Sequence, residues 1–160
     1  MDFTPGIFRM DLSTFAPGNT EHKRATIANQ LALYVTMYSP LQMAADLPEH
    51  YAEKADAFQF IKDVPVDWSK SVYLDAEPAE YIVAARKEKG GDDWYVGGVT
   101  DKEARNYEVK CDFHDPGATY EATLYMDGVT ADCDRNPESY IITCFDLTDK
   151  DTVPVRMAPG

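Results

Sequence analysis

The chain has 160 residues, a formal net charge of −13 and an isoelectric point near 4.5. That balance excludes nucleic acid as a partner, because a phosphate backbone is held by Lys and Arg, and no run approaches the roughly 18 apolar residues of a membrane span. With 44% hydrophobic and 12% aromatic residues, the length is enough for one domain, or for one and a half, with a real core.

The opening stretch, MDFTPGIF, already reads as core: Phe3, Ile7 and Phe8 flank the turn signal Thr4-Pro5-Gly6. No signal peptide is visible in the sequence. Asn19 or Thr20 suits a helix N-cap, and Ile27, Leu31, Tyr34, Val35 and Tyr38 then recur at helical spacing. This predicts an apolar helix over 20–38, buried on more than one side. Ser39-Pro40 stops it and predicts a further short helix in PLQMAAD, with Pro as first helical residue. Leu47-Pro48 repeats the device and predicts a helix to about Lys62, with Tyr51, Ala55, Phe58 and Ile61 on one stripe.

The character changes near residue 65. Seven β-branched and aromatic runs follow, at 71–77, 79–88, 93–100, 105–113, 118–127, 139–147 and 152–157. Turns rich in Gly, Asp and Asn separate several of them, such as Gly90-Gly91-Asp92 and Asp115-Pro116-Gly117. Short strands so joined predict an antiparallel sandwich. Tyr120, Ala122, Leu124 and Met126 alternate with Thr119, Glu121, Thr123 and Tyr125, the pattern of a half-buried strand. The fold class expected is therefore α+β, with helices over 1–65 and a β-sandwich over 66–160.

Chemistry is sparse. Cys111, Cys133 and Cys144 form no CxxC pair, and His22, His50 and His114 lie far apart. There is no GxSxG elbow and no phosphate-binding glycine loop. Gly97-Gly98 sits inside a strand run, where glycine marks a bulge or a close backbone approach. DCDRNPESY lacks the glycine and closing Glu of a calcium loop and reads as a plain loop. Acidic pairs such as Glu77/Glu80 and Asp92-Asp93 are expected in so acidic a chain. Trp94 and Tyr95 are candidates for stacking on sugar rings, with core packing the plainer alternative.

Five blocks, MDFTPGIF, TIANQLALYVTMYSPLQMAADLPEHY, AFQFIKDVPVDW, AEPAEYIVAARK and DDWYVGGVTD, occur in order. Together with the weaker DFHDPGATYEATLYMDG and the closing MAPG they resemble the C-terminal part of glycoside hydrolase family 97. The resemblance implies calcium-dependent, exo-acting α-glucosidases or α-galactosidases, usually periplasmic. Their N-terminal supersandwich and (β/α)8 barrel precede a C-terminal sandwich. It maps Met1–Phe8 onto the last barrel strand and its loop, residues 20–62 onto closing barrel helices, and residues 70–160 onto the sandwich. It also implies one more short strand beyond MAPG. The family's catalytic and calcium-binding carboxylates lie upstream of MDFTPG, so no catalytic and no metal-binding residue is expected on this chain. Only Asp2 and Thr4 would reach the substrate rim, strand C-termini being where barrels place their sites.

The expectation is thus an inactive C-terminal portion of an enzyme acting on α-linked oligosaccharide. The alternative is a stand-alone carbohydrate-binding or interaction module. In either case helix 20–38 folds back on the sandwich or, left exposed, drives self-association.

Overall fold

The computed structural model describes residues 2–14 and 16–160, so Met1 of the opening block lies outside the described residues. Residues 3–5 run alongside residues 41–45. Phe3 makes a parallel bridge to Gln42, Met43 N–H donates to the Phe3 carbonyl at 3.0 Å, and Ala45 N–H donates to Pro5 at 3.0 Å. Between the two segments lie one 3-10 turn, Leu12–Thr14, and helix α1, Ile27–Thr36. A parallel pair requires such a crossover, since a hairpin cannot connect it.

Three expectations are corrected here. Helix α1 starts at Ile27 rather than near residue 20, because Thr26 is the cap: its hydroxyl accepts the Asn29 N–H at 3.1 Å. Asn19 instead accepts from Glu21 N–H at 2.9 Å, a local bond that competes with helix. Residues 41–46 are extended, not helical, because their backbone groups pair with residues 3–5. The helix after Leu47-Pro48 is two helices, α2 (Pro48–Glu53) and α3 (Ala55–Asp63), broken at Lys54 with φ −133° and ψ 50°. The break shifts the helical phase. Tyr51 still stacks on Phe58, with centroids 4.3 Å apart, but Ala55 is exposed and Ala57 is the buried alanine.

Seven strands follow, each inside one of the runs expected or within a few residues of it: β1 (Trp68–Glu77), β2 (Tyr81–Glu88), β3 (Trp94–Thr100), β4 (Arg105–Lys110), β5 (Thr119–Asp127), β6 (Tyr140–Thr148) and β7 (Thr152–Met157). All pairings are antiparallel, in the order β1-β2-β3, β4-β7 and β5-β6. The molecule is mostly antiparallel sheet with few helices. Strand β2 is the pivot. Val83 and Ala85 enter one core with Val109, Phe113 and Met157, while Arg86, on the opposite face, bonds to the end of α1. Strand β5 alternates as expected except that Tyr125, on the outer face, is half-buried against Phe60, with ring centroids 5.4 Å apart.

Helix α1 lies on this sheet. A Cβ added at Gly97 would stand 2.8 Å from both the Ala32 carbonyl oxygen and Val35 Cβ, so the glycine marks a close backbone approach. Ile27, Leu31, Tyr34 and Val35 are buried. Of the two fates expected for the helix, folding back is the one observed. Ile27, Leu31, Tyr34 and Val35, the apolar face of α1, are covered within the chain.

Candidate functional site

The most elaborate polar arrangement surrounds the turn Thr4-Pro5-Gly6. Gln30, on α1, accepts the Gly6 and Ile7 N–H groups on Oε1 at 3.0 and 3.2 Å. The Tyr34 hydroxyl lies 3.1 Å from the Pro5 carbonyl and 3.0 Å from that of Met43, so it ties both extended segments to the helix. From α2 the Tyr51 hydroxyl donates to the Gly6 carbonyl at 2.7 Å and accepts from Asp46 N–H at 3.0 Å. Gly6 has φ +89° and would set a Cβ 2.5 Å from the Tyr34 oxygen, which leaves room for no other residue.

Asp46 closes the cage. Its side chain is inaccessible to solvent. Oδ2 accepts the Phe8 and Arg9 N–H groups, both at 2.7 Å, and Oδ1 accepts Leu47 N–H at 2.8 Å and faces His50 Nδ1 at 2.5 Å. Burial pushes this carboxyl up, but the converging donors outweigh it and hold it below the usual carboxylate range. Burial, foremost, pushes the Tyr34 and Tyr51 hydroxyls up, so both stay neutral donors.

The cage holds residues 2–9 in place and aims Asp2 and Thr4 outward, where both are exposed. Sequence reasoning placed Tyr34 and Tyr51 in the core without their hydroxyl roles and passed over Gln30 and Asp46. The available signal was Asp46 four residues before His50, with Leu47-Pro48 between them.

Trp94 and Tyr95, the stacking candidates, are adjacent on β3 and so point to opposite faces. Trp94 packs on Phe113, with centroids 5.0 Å apart, and Lys70 Nζ stands 5.4 Å from its ring. Tyr95 packs on Phe60 and Trp68, and its hydroxyl donates to the Asp63 carbonyl at 3.1 Å. The two rings do not form one platform. Trp94 borders a cleft of about 410 Å³ between β3 and the β5–β6 ladder, floored by Leu124, Phe145 and Val155. Trp94 Nε1, Asp127 Oδ1 and Arg156 Nε reach no protein partner, but Trp94 and Asp127 sit toward opposite ends of the cleft and form no constellation.

Calcium, implied by the resemblance, finds no fit here. A hard cation needs six to eight oxygen ligands. Among the described residues no group of three or more His, Cys, Asp or Glu is arranged to hold a metal, and the Asp46 lone pairs are taken by three N–H groups and His50. DCDRNPESY is a turn closed on itself by the Asp132–Asn136 bridge.

Comparison with known proteins supplies the context. The family model described as "Glycosyl-hydrolase 97 C-terminal, oligomerisation" matches residues 67–160. A retaining alpha-galactosidase of Bacteroides thetaiotaomicron is 39% identical over 162 residues, covering all of this chain and 24% of its own. A glycoside hydrolase family 97 enzyme from Pseudoalteromonas sp. strain K8, solved in complex with acarbose, is 47% identical with a TM-score of 0.92. It covers 99% of this chain and 24% of its own; a variant of it was solved with panose. A beta-arabinopyranosidase aligns more distantly, with a TM-score of 0.71 at 25% identity over 89% of this chain and 21% of its own. The chain thus spans about a quarter of the length of these relatives.

Proposed function

Because the chain belongs to glycoside hydrolase family 97, we propose that it serves as the C-terminal portion of an exo-acting α-glycosidase. That enzyme removes terminal α-linked glucose or galactose with calcium assistance. In this reading residues 2–63 are the closing strand–helix–strand–helix of a (β/α)8 barrel, residues 66–160 are the sandwich that braces it, and the enzyme works in the periplasm. The observation that carries the reading is the parallel pairing of residues 3–5 with 41–45 across α1. Parallel strands joined by a crossover helix are the repeating unit of such a barrel, and an isolated pair has no independent stability.

The reading implies a division of labour. Gln30, Tyr34, Asp46 and Tyr51 hold the Pro5-Gly6 backbone from behind, which leaves Asp2 and Thr4 facing the substrate rim as positioning groups. No residue here supplies the acid, the base or the calcium ligands, so the chain alone should not turn over. Trp94 and Tyr95, on opposite faces of β3, act as bracing aromatics rather than as a sugar platform.

The decisive experiment is a chimera joining this chain to the N-terminal three-quarters of the Bacteroides enzyme. Hydrolysis of nitrophenyl α-galactoside by the chimera, with none from the 160-residue chain alone, is the expected result. A folded chimera without activity, or calcium-dependent turnover by the chain alone, would overturn the reading.

A further inference from the structure

Two open strand edges face each other across the cleft. Among the described residues β3 pairs with β2 alone and β5 with β6 alone. The cleft of about 410 Å³ between them is lined by residues 94–96 and 98–100 of β3 and by residues 120–127 of β5. Successive side chains of a strand point to opposite faces, so a wall made of consecutive residues is a backbone edge. Other strands meet the cleft mainly with alternate residues, such as Phe145 and Leu147 of β6 or Val153 and Val155 of β7, and so cover a face of it. An open row of N–H and C=O groups is a template for another strand. Strands β1, β4, β6 and β7 also have an open side, but a chain added there gains one ladder. Between β3 and β5 it gains two.

We propose that this cleft takes a separate extended peptide, which lies as a strand between β3 and β5 and joins their ladders into one sheet. The walls set its direction. Trp94 and Tyr120, near the starts of β3 and β5, both pack on His114, with centroids 6.0 and 4.4 Å away. At the other end one short segment ties the strands together: Ala158 N–H donates to Asp127 Oδ2 at 2.7 Å, and Gly160 N–H donates to the Asp101 carbonyl at 3.0 Å. The two strands therefore run the same way, and a peptide antiparallel to both makes the stronger pairing. It enters beside Asp127 and leaves beside Trp94.

The lining also sets its chemistry. One face of the peptide meets Ala28 and Ala32 of α1, a helix that already crowds β3 at Gly97, so residues on that side are small. The other face meets Val109, Val155 and Met157, so residues there are Val or Ile. A strand buried on both faces is apolar throughout. Asp127, 4% exposed, lines the entry with Oδ1 unpartnered and offers an acceptor to the first peptide N–H. Asp63 and Asp93 line the exit and call for a basic residue there. A second copy of the chain supplies no such strand, as its β1–β7 are already paired. The proposal does not depend on the glycosidase reading.

The probe is the peptide acetyl-Ala-Val-Ala-Val-Ala-Val-Lys-amide, titrated calorimetrically into the 160-residue chain. Saturable one-to-one binding below about 1 mM is expected, and hydrogen exchange should slow at the amides of β3 and β5 together. The same peptide N-methylated at alternate residues loses the donors of one ladder and should bind roughly tenfold or more weakly. Asp93 is exposed, so Asp93→Lys should leave the circular dichroism spectrum unchanged. It should weaken the Lys-ended peptide roughly threefold and favour one ending in Glu. Absence of binding at that concentration would overturn the proposal. So would equal binding of the N-methylated peptide, or protection confined to the amides of β1, β4, β6 or β7.

Discussion

Gly97 lies directly beneath Val35: a Cβ built on the glycine would stand 2.8 Å from the valine Cβ and equally close to the Ala32 carbonyl oxygen. Both obstacles belong to the packed body of α1, so neither moves without lifting the helix off the sheet. Gly97→Ala should therefore cost about 2–3 kcal/mol of stability, the upper range for forcing extra atoms into a packed core. Its neighbour is the control. A Cβ at Gly98 meets Met157 Sδ at 3.0 Å, part of a flexible side chain, and Gly98→Ala should cost about 1 kcal/mol or less. Urea denaturation of the two variants separates them.

Arg86 fastens the same helix from its far end. It is 4% exposed, and its guanidinium donates to the Val35 carbonyl at 2.5 Å, the Thr36 carbonyl at 3.3 Å and the Ser71 hydroxyl at 2.7 Å. A cation at the carbonyl end of a helix also meets the negative pole of its dipole. Lys keeps the charge but not the fork. Arg86→Lys should lose about 2 kcal/mol and Arg86→Met about 3 kcal/mol, as buried carbonyls lose a charged donor. Equal costs for the two variants in chemical denaturation would show that the fork, not the charge, is what matters.

The strands were legible because their signal is local. Alternation in β5 and the turn residues around 90–92 and 115–117 need no knowledge of the rest of the chain. The N-terminal part was less so. PLQMAAD has helix-forming composition, yet it is extended because residues 3–5 offer it a parallel partner forty positions away, and tertiary pairing overrides propensity. Asp46 escaped notice for the same reason: three of its four partners are backbone N–H groups, which carry no side-chain signature. Arg86 sits in AEYIVAARKE among ordinary strand residues, and only the position of α1 makes it a buried anchor.

Asp46 makes stability depend on acid. Its carboxyl titrates below the usual 3.8, burial being outweighed by the Arg9, His50, Leu47 and Phe8 donors. A folded-state value below the unfolded one means that the unfolded chain binds the proton first. The contribution is therefore complete above about pH 4 and is lost as pH falls through the lower folded value. Asp46→Asn should cost about 2 kcal/mol at neutral pH, as charged hydrogen bonds become neutral ones, and the gap to the native chain should shrink below pH 4. Thermal melts of both proteins across pH 2.5–7 test this; a constant gap would refute it.

Asp127 works in the opposite sense. It ends β5, is 4% exposed, and accepts the Ala158 N–H on Oδ2 at 2.7 Å while Oδ1 has no partner. Burial pushes its carboxyl up, further than the Ala158 and Thr26 hydrogen bonds and the more distant Arg156 pull it down. Here the folded state binds the proton first, so stability falls as pH rises from the unfolded value near 3.8 through the raised folded one, and stays lower above it. Arg156 on β7, whose Nε is itself without a partner, pulls it down but does not outweigh the burial. Asp127→Asn keeps an acceptor for Ala158 and removes the ionisation. The variant's stability should lack the decline that the native chain shows on the alkaline side of pH 4, so the two curves should diverge as pH rises. If the native chain and Asp127→Asn instead run parallel from pH 4 to 8, the carboxylate at the end of β5 is ionised without penalty, and burial does not govern it.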